Sequence, residues 1–379
     1  MKNHIKHAKI TKSDIGNFHK NEYSILGTPC GNIKKLAFDI TSSLSADYQV
    51  GYVDADHKSA DENAHQPNCA LDYGASLEYI DKINFHRFDT IQHLNEYDFK
   101  QQFSLQDLVL VNGNHFEAKK QIIVIDSNKP LEKKLKKLTH VVMVLLIDKE
   151  TPIPEYLKEL IENVPVFNIT EESRISQYIA NQLVDNLAPL KGLVLAGGKS
   201  TRMNRDKGKI AYHGKEQRLY MNDLLSKLTS QSFLSIRNEQ LVEFASDVKT
   251  IGDVHLGLGP YGAILSAFQK DPNAAWLVTA CDQPLLNEDT LKYLVSKRSP
   301  SKLATAFYNS ETDFPEPLIT IWEPRAYSRM LYFLSLGYSC PRKVLINSDI
   351  ELVKLENEVV LRNANTPEEL EELTLTLKA

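Results

Sequence analysis

Residues 191–209 read Lys-Gly-Leu-Val-Leu-Ala-Gly-Gly-Lys-Ser-Thr-Arg-Met-Asn-Arg-Asp-Lys-Gly-Lys. The apolar run Leu193 to Ala196 has the length and composition of a buried strand. It stops at Gly197-Gly198, where a missing Cβ lets the backbone turn sharply and come within hydrogen-bonding distance of a ligand. Ser200, Arg202 and Lys207 follow. Loop N–H groups beside a guanidinium and an ammonium form a receptor for a polyphosphate. A lone diglycine with solvated cations would be an ordinary turn. The full pattern, Leu-Ala-Gly-Gly-x-Ser-x-Arg-Met-x-x-Asp-Lys, is far more specific.

Downstream, Arg218 to Leu228 predicts a helix with Met221, Leu224, Leu225 and Leu228 on one face. Phe233 to Asn238 predicts a strand whose last residue is either a turn former or a group that orients a base or ribose. Asp253 precedes Gly257, Gly259 and Gly262, glycines before and within a helix start that suit close backbone approach and an anion at a helix N-terminus. Trp276 to Asp282 is a buried strand that presents one carboxylate at its C-terminal edge, as a magnesium ligand in an α/β nucleotide site would be presented. Cys281 should point away from Asp282, because side chains alternate along a strand. His213 and His255 have no second ligand at metal spacing. Asn287 caps a helix to about Arg298. Ala304–Tyr308 and Leu318–Trp322 read as paired strands with a rigid Phe314-Pro-Glu-Pro317 between them. Thr366, Pro367 and Glu369 form a capping box with proline at the first helical position; this accounts for neither Asn363 nor Asn365.

The chain has 379 residues, enough for two domains that each bury a core. Hydrophobic content of 42% and charged content of 25% are ordinary for a globular protein. A formal net charge of −5 argues against nucleic acid as a partner while leaving room for a local basic site. Cys30, Cys69, Cys281 and Cys340 show no close pairing and no zinc spacing, which points to free thiols in a reducing compartment. No apolar run approaches about 18 residues, so no membrane span is expected. The polar start has no apolar signal core, and a cytoplasmic location is expected. The chain breaks at Pro189, giving domains 1–188 and 189–379.

On these motifs the second half resembles the MobA family, the molybdenum cofactor guanylyltransferases. The resemblance implies a Rossmann-like nucleotidyltransferase fold that transfers GMP from GTP to the phosphate of molybdopterin, with Mg2+ as cofactor. It implies nucleotide binding by Leu195, Ala196, Gly197, Gly198, Lys207, Asn238, Asp253, Gly259, Gly262 and Asp282. Arg202, Lys207 and Asp282 take the catalytic places, with the metal on Asp282. Pro317, Arg342, Asn363 and Asn365 fall on the acceptor side. Asn204 stands where the family usually has glycine. Related cytidylyltransferases carry Leu-Ala-Ala-Gly, so Gly197-Gly198 follows the guanylyl pattern. Two alternatives stay open: another nucleotidyltransferase of the same fold, for CTP or a sugar 1-phosphate, and a non-catalytic scaffold that hands the cofactor on.

In the first half, Tyr23–Leu26 predicts a strand, Gly27-Thr-Pro-Cys-Gly31 a loop, and Ile33, Leu36, Ala37, Ile40 and Leu44 a helix. The context is that of a P-loop, but Asn32-Ile33-Lys34 stands where Gly-Lys-Ser/Thr is required. One residue of shift on a helix rotates a side chain by about 100°, so Lys34 and Lys35 are poor substitutes and no nucleotide is expected here. Further strands at 49–54, 108–112, 121–126 and 141–147, with a helix at 171–183, predict a parallel α/β sheet. Together with Asp54-Ala-Asp-His57, Tyr73-Gly-Ala75, Asp107-Leu-Val-Leu-Val-Asn-Gly113 and Phe167-Asn-Ile-Thr170, this half resembles the MobB family, P-loop partners of MobA. The fold class is therefore α/β in two domains, each a mostly parallel sheet flanked by helices. The first half is expected to serve docking or dimerisation, a homodimer through it included. Molybdoenzyme apoproteins or their chaperones are candidate partners.

Overall fold

In a computed structural model, residues 10–56, 69–198, 206–244 and 248–378 are described. Ser200, Arg202, Asn204 and His57 lie outside them. The chain divides into two compact units: Ile15–Asn186, and Leu187–Ala379 together with the leading residues through Asp14. The sequence reading put that leading segment with the first domain. Its polar groups bond to the second: Thr11 Oγ1 donates to the Lys270 carbonyl at 3.2 Å and the Asp14 N–H donates to Asn273 Oδ1 at 2.6 Å.

The first unit runs β1 (Glu22–Leu26), α1 (Cys30–Leu44), β2 (Val50–Val53), β3 (Leu77–Asp81), β4 (His86–Thr90), α2 (Glu96–Gln102), β5 (Leu108–Asn112), β6 (Lys120–Ile125), β7 (Val141–Leu146), β8 (Val166–Asn168) and α3 (Glu172–Asp185). Six described strands form one parallel sheet in the order β2-β5-β1-β6-β7-β8. Helix α1 buries the five residues that the 3.6-residue period predicts: Ile33, Leu36, Ala37, Ile40 and Leu44. At Gly27 φ is 97°, and a Cβ there would lie 2.2 Å from the Val124 carbonyl oxygen, so only glycine fits this turn. The β3–β4 hairpin is absent from the sequence reading. No face of it is buried: Leu77, Tyr79 and Phe88 are exposed, and its turn places Ile83 at φ 70°. Neither apolar alternation toward a core nor turn chemistry marks it in the sequence.

The second unit runs β9 (Leu190–Leu195), α4 (Gln217–Ser226), β10 (Ser232–Ile236), β11 (Thr250–Gly252), α5 (Pro260–Lys270), β12 (Ala275–Ala280), α6 (Glu288–Ser296), β13 (Ala304–Asn309), β14 (Phe314–Trp322), α7 (Arg325–Ser335), α8 (Pro341–Ile346), β15 (Glu351–Val353) and α9 (Pro367–Lys378). Seven described strands form a sheet in the order β11-β10-β9-β12-β14-β13-β15. Only β14 runs antiparallel to its neighbours. Successive residues of β12 serve opposite cores: Trp276 packs with Phe233, Phe268 and Tyr261, while Leu277 packs with Leu234, Leu286 and Ile319. Phe314 to Pro317 is not the rigid connection expected from sequence but the start of β14. The register slips between Ala306 and Tyr308, and such a bulge tolerates prolines that cannot donate to a ladder.

In register, Leu195 of β9 sits level with Ser235 of β10 on one side and Ala280 of β12 on the other. After β9 the chain steps to β10, and it later returns to β12 on the opposite side. The carboxyl ends of β9 and β12 therefore flank a topological switch point, the place where open α/β sheets bind ligands.

Candidate active site

A cavity of about 220 Å3 opens at this edge. Leu195 to Gly198 form one wall, Ser235 to Arg237 a second, Asp253 and Gly259–Pro260 a third, and Ala280 to Asp282 the floor. Gly197 and Gly198 are not among the glycines with positive φ. Gly197 instead permits close packing: a Cβ there would lie 3.2 Å from the Arg237 nitrogen. Among the described residues nothing lies within 4 Å of a Cβ on Gly198.

Lys207 begins a short 3-10 turn, Lys207–Lys209, capped where Asp206 Oδ1 accepts from the Gly208 N–H at 2.9 Å. The turn aims Lys207 Nζ at two acceptors, Asp282 Oδ2 at 3.3 Å and Asn365 Oδ1 at 2.8 Å. Asp282 follows β12, and its carbonyl accepts from the Ala364 N–H at 2.7 Å. That bond, with the capping box at the head of α9, places Asn365: Glu369 Oε2 accepts from the Asn365 N–H at 2.6 Å and the Thr366 N–H at 3.1 Å. Residues 75 and 158 positions from Lys207 thus converge on one ammonium. Burial and the Asp282 charge push the Tyr212 phenol up to about 12.

Behind the turn lies a network that no sequence spacing announced. Arg218 is buried, donates to Glu216 at 2.8 Å and Glu243 at 3.2 Å, and stacks on Phe244 with its guanidinium carbon 4.5 Å from the ring centroid. Lys209 meets the same Glu243 at 3.0 Å. His213 stacks on Tyr220 and shares a 2.9 Å hydrogen bond with the Pro284 carbonyl, tying the loop after Lys207 to the one after Asp282.

On the third wall, Gly259 has φ 57° and ψ −137°, a conformation that strains any L side chain. Asp253 Oδ1 accepts from the His255 N–H at 2.9 Å and from Ser266 Oγ at 3.1 Å, which fixes its carboxylate against α5.

The chain matches the family described as the MobA-like NTP transferase domain over residues 192–349. A molybdenum cofactor biosynthesis bifunctional protein of Synechocystis sp. is 36% identical over 182 residues, 48% of this chain and 52% of that protein. The chain spans about half the length of that relative. A molybdenum cofactor guanylyltransferase of Xanthomonas euvesicatoria is 30% identical over 188 residues, 92% of its length. This chain belongs to the molybdenum cofactor guanylyltransferase family. A solved molybdopterin-guanine biosynthesis protein B is 19% identical, with 43% of this chain and 99% of that one covered at a TM-score of 0.31.

Of the nucleotide-binding residues that the guanylyltransferase resemblance implies, Leu195, Ala196, Gly197, Gly198, Lys207, Asp253, Gly259 and Asp282 line the cavity. Asn238 and Gly262 do not line it. The Asn238 amide donates to the Asp253 carbonyl at 3.5 Å, and its neighbour Arg237 faces the cavity. Gly262 sits where a Cβ would lie 2.3 Å from the His255 carbonyl oxygen, so the backbone packs closely there. Cys281 is buried as expected and its thiol is pushed up by burial, then by Asp282 and Asp206.

Of the acceptor-side residues that the resemblance implies, Asn365 reaches the site through Lys207, while Pro317, Arg342 and Asn363 are not among the residues that line the cavity. Arg342 Nε and Asn363 Oδ1 are buried with no hydrogen-bond partner among the described residues. Between the two prolines, Glu316 is 4% exposed and accepts from Asn309 at 3.3 Å. Burial holds its carboxyl above the ordinary range, Arg342 and Asn309 oppose this, and Asp282 adds to it. The folded chain therefore binds this proton more tightly than the unfolded chain, and the stability it lends is present at low pH and lost as pH rises. Glu316→Gln should match the wild type in urea midpoint below about pH 4 and gain on it as pH rises past the ordinary glutamate value of 4.5. A midpoint difference independent of pH would contradict this.

Proposed function

We propose that the chain transfers GMP from GTP to the phosphate of molybdopterin, forming the guanine dinucleotide cofactor and releasing pyrophosphate. The observation that carries this reading is the Lys207 ammonium set between Asp282 and Asn365 on the floor of the cavity at the switch point. The apolar wall of Leu195 and Ala196 with the glycine backbone suits a purine, and Asp253 offers a carboxylate beside it.

Asp206, Asp253 and Asp282 all line this cavity, and hard carboxylate oxygens fit Mg2+, which takes one or two of them together with substrate phosphates. Asp282 would hold the ion, which supplies charge neutralisation on the phosphates. Lys207 and Asp282 neutralise each other at 3.3 Å. With the cation on Asp282, Lys207 Nζ would be placed to bind the triphosphate. Lys207, with Arg202 five positions before it in the sequence, would offset the charge that develops on the leaving pyrophosphate. An acceptor phosphate oxygen attacks the α-phosphorus, the bond to the β-phosphate breaks, and no protein nucleophile is needed.

The first unit serves docking. The exposed Tyr79 and Phe88 face of its hairpin supports a homodimer through this unit, because a two-stranded hairpin alone is marginal in water. Molybdoenzyme apoproteins or their chaperones would receive the product. A cytoplasmic location fits four free cysteines and the finding that no helix among the described residues is long and apolar enough to cross a membrane. Supplying molybdopterin and a sugar 1-phosphate together with Mg and α-labelled GTP or CTP tests the reading. Label from GTP should enter the pterin; label entering only a sugar phosphate, or only from CTP, would overturn it.

A further inference from the structure

Of the described residues that line the cavity, only Lys207 and Arg237 are cations, and the transfer chemistry uses only the first. Leu195 is level with Ser235 and Ala280, so two residues further on Gly197, Arg237 and Asp282 reach the carboxyl edge of the sheet together. Ile236 pairs with Gly252, so one residue on Asp253 reaches that edge beside Arg237, and its N–H donates to the Ile236 carbonyl at 3.2 Å. The edge therefore presents Asp253, Arg237, Gly197 and Asp282 in one row. Neighbouring strands lie about 4.8 Å apart, so the row spans roughly 14 Å, the reach of a purine nucleoside triphosphate with its ion. Lys207 and Asp282 occupy the phosphate end. Arg237 stands across the diglycine from them, at the base end. Arg237 and Asp253 carry opposite charges side by side, yet they make no ion pair with each other. Asp253 Oδ1 is taken by the His255 N–H and Ser266 Oγ. The buried Gln240 holds Arg237: its Oε1 accepts from the Arg237 N–H at 3.1 Å and from Nε at 3.4 Å. Among the described residues the two Nη nitrogens donate to nothing, so a planar pair of donors is held in the cavity wall without a protein acceptor.

We propose that Arg237 is a base-specificity residue whose guanidinium donates to O6 and N7 of guanine. The inference rests on reading this cavity as a GTP site. O6 and N7 are acceptors on one edge of the base, spaced to match a pair of arginine donors. On the adjoining edge, the N1–H and the 2-amino group are donors that suit the Asp253 carboxylate beside Arg237. Adenine reverses the pattern. Its 6-amino group would set donor against donor at Arg237, and its N1 lone pair would meet the carboxylate. Rejection of the wrong purine then comes from polar groups left unpaired, which discriminates far better than pocket size.

The full chain is titrated by calorimetry with Mg-GTP and with the magnesium complex of 7-deaza-GTP, in which a C–H replaces N7. The wild type should bind GTP about tenfold more tightly than the analogue. Arg237→Ala should weaken GTP binding and bring the two affinities within about twofold of each other. Arg237→Lys keeps a cation in the wall but not the parallel donors, and should show the same collapse with a melting temperature near that of the wild type. Equal affinities in the wild type would overturn the proposal. So would a tenfold preference kept in the variants, since a loss shared equally by both nucleotides places the guanidinium on the phosphates. Transfer of labelled GMP to molybdopterin by the wild type is followed in parallel. The tenfold preference without transfer would overturn the proposed reaction and support the role of Arg237; transfer with equal affinities would overturn that role alone.

Discussion

Lys207→Ala should lower GMP transfer by about 10²–10³-fold in kcat/KM, the usual cost of removing one charge aimed at a developing anion. The loss has two parts. Nζ no longer meets the triphosphate, and Asp282 loses the partner that holds it at 3.3 Å in the free protein. Stability should fall only modestly, since Asp282 and Asn365 keep side chains that water can reach once Nζ is gone. Lys209→Ala is the control. It lies in the same 3-10 turn but points to Glu243 at 3.0 Å, and should leave transfer within about twofold. Steady-state kinetics with Mg-GTP on both variants decide the matter. Equal losses in the two would mean that the turn is disrupted instead of a single ammonium removed.

Gly262→Ala should be the most damaging small substitution at the third wall. The added Cβ would lie 2.3 Å from the His255 carbonyl oxygen and 3.3 Å from Asp253 Oδ1, and the first of these is backbone that cannot swing away. Helix α5 must shift to relieve the clash, although it is buried along most of its length. Overpacking of this kind costs about 1–3 kcal/mol. The same shift moves Gly259 and Asp253, so GTP affinity should fall with stability. Gly198→Ala separates the two effects. With nothing among the described residues within 4 Å of its Cβ, it should keep the wild-type melting temperature while weakening GTP binding from inside the cavity mouth. Differential scanning calorimetry paired with GTP titration shows the contrast; a wild-type melting temperature for Gly262→Ala would contradict the packing account.

The strands and helices that bury an apolar face were legible because their period reports directly on packing. Leu108–Asn112, Trp276–Ala280 and the face of α1 are cases in point. The Phe314–Pro317 stretch was misread because two prolines signal a break. What the sequence does not display is the bulge opposite, which lets a strand carry them. The β3–β4 hairpin escaped for the opposite reason, having no buried face to impose a period. At the site, residue types close in sequence were legible as a group: the diglycine, Lys207, and the lone Asp282 at a strand end. Arg218, Glu243, Arg237 and Tyr212 were not. Their roles arise from tertiary contacts at separations where spacing carries no information. Asn365 was noticed only because the capping box beside it left it unexplained, and its bond to Lys207 supplies the reason.

The most direct measurement is a crystal structure of the chain grown with GTP and magnesium. The account predicts a β- or γ-phosphate oxygen within about 3 Å of Lys207 Nζ, hydrogen-bonding range for such a pair. It also predicts a magnesium ion on Asp282 and the guanine against Leu195 and Ala196. A triphosphate bound instead at the Gly27–Gly31 loop of the first unit, with Lys207 still paired to Asp282, would contradict it.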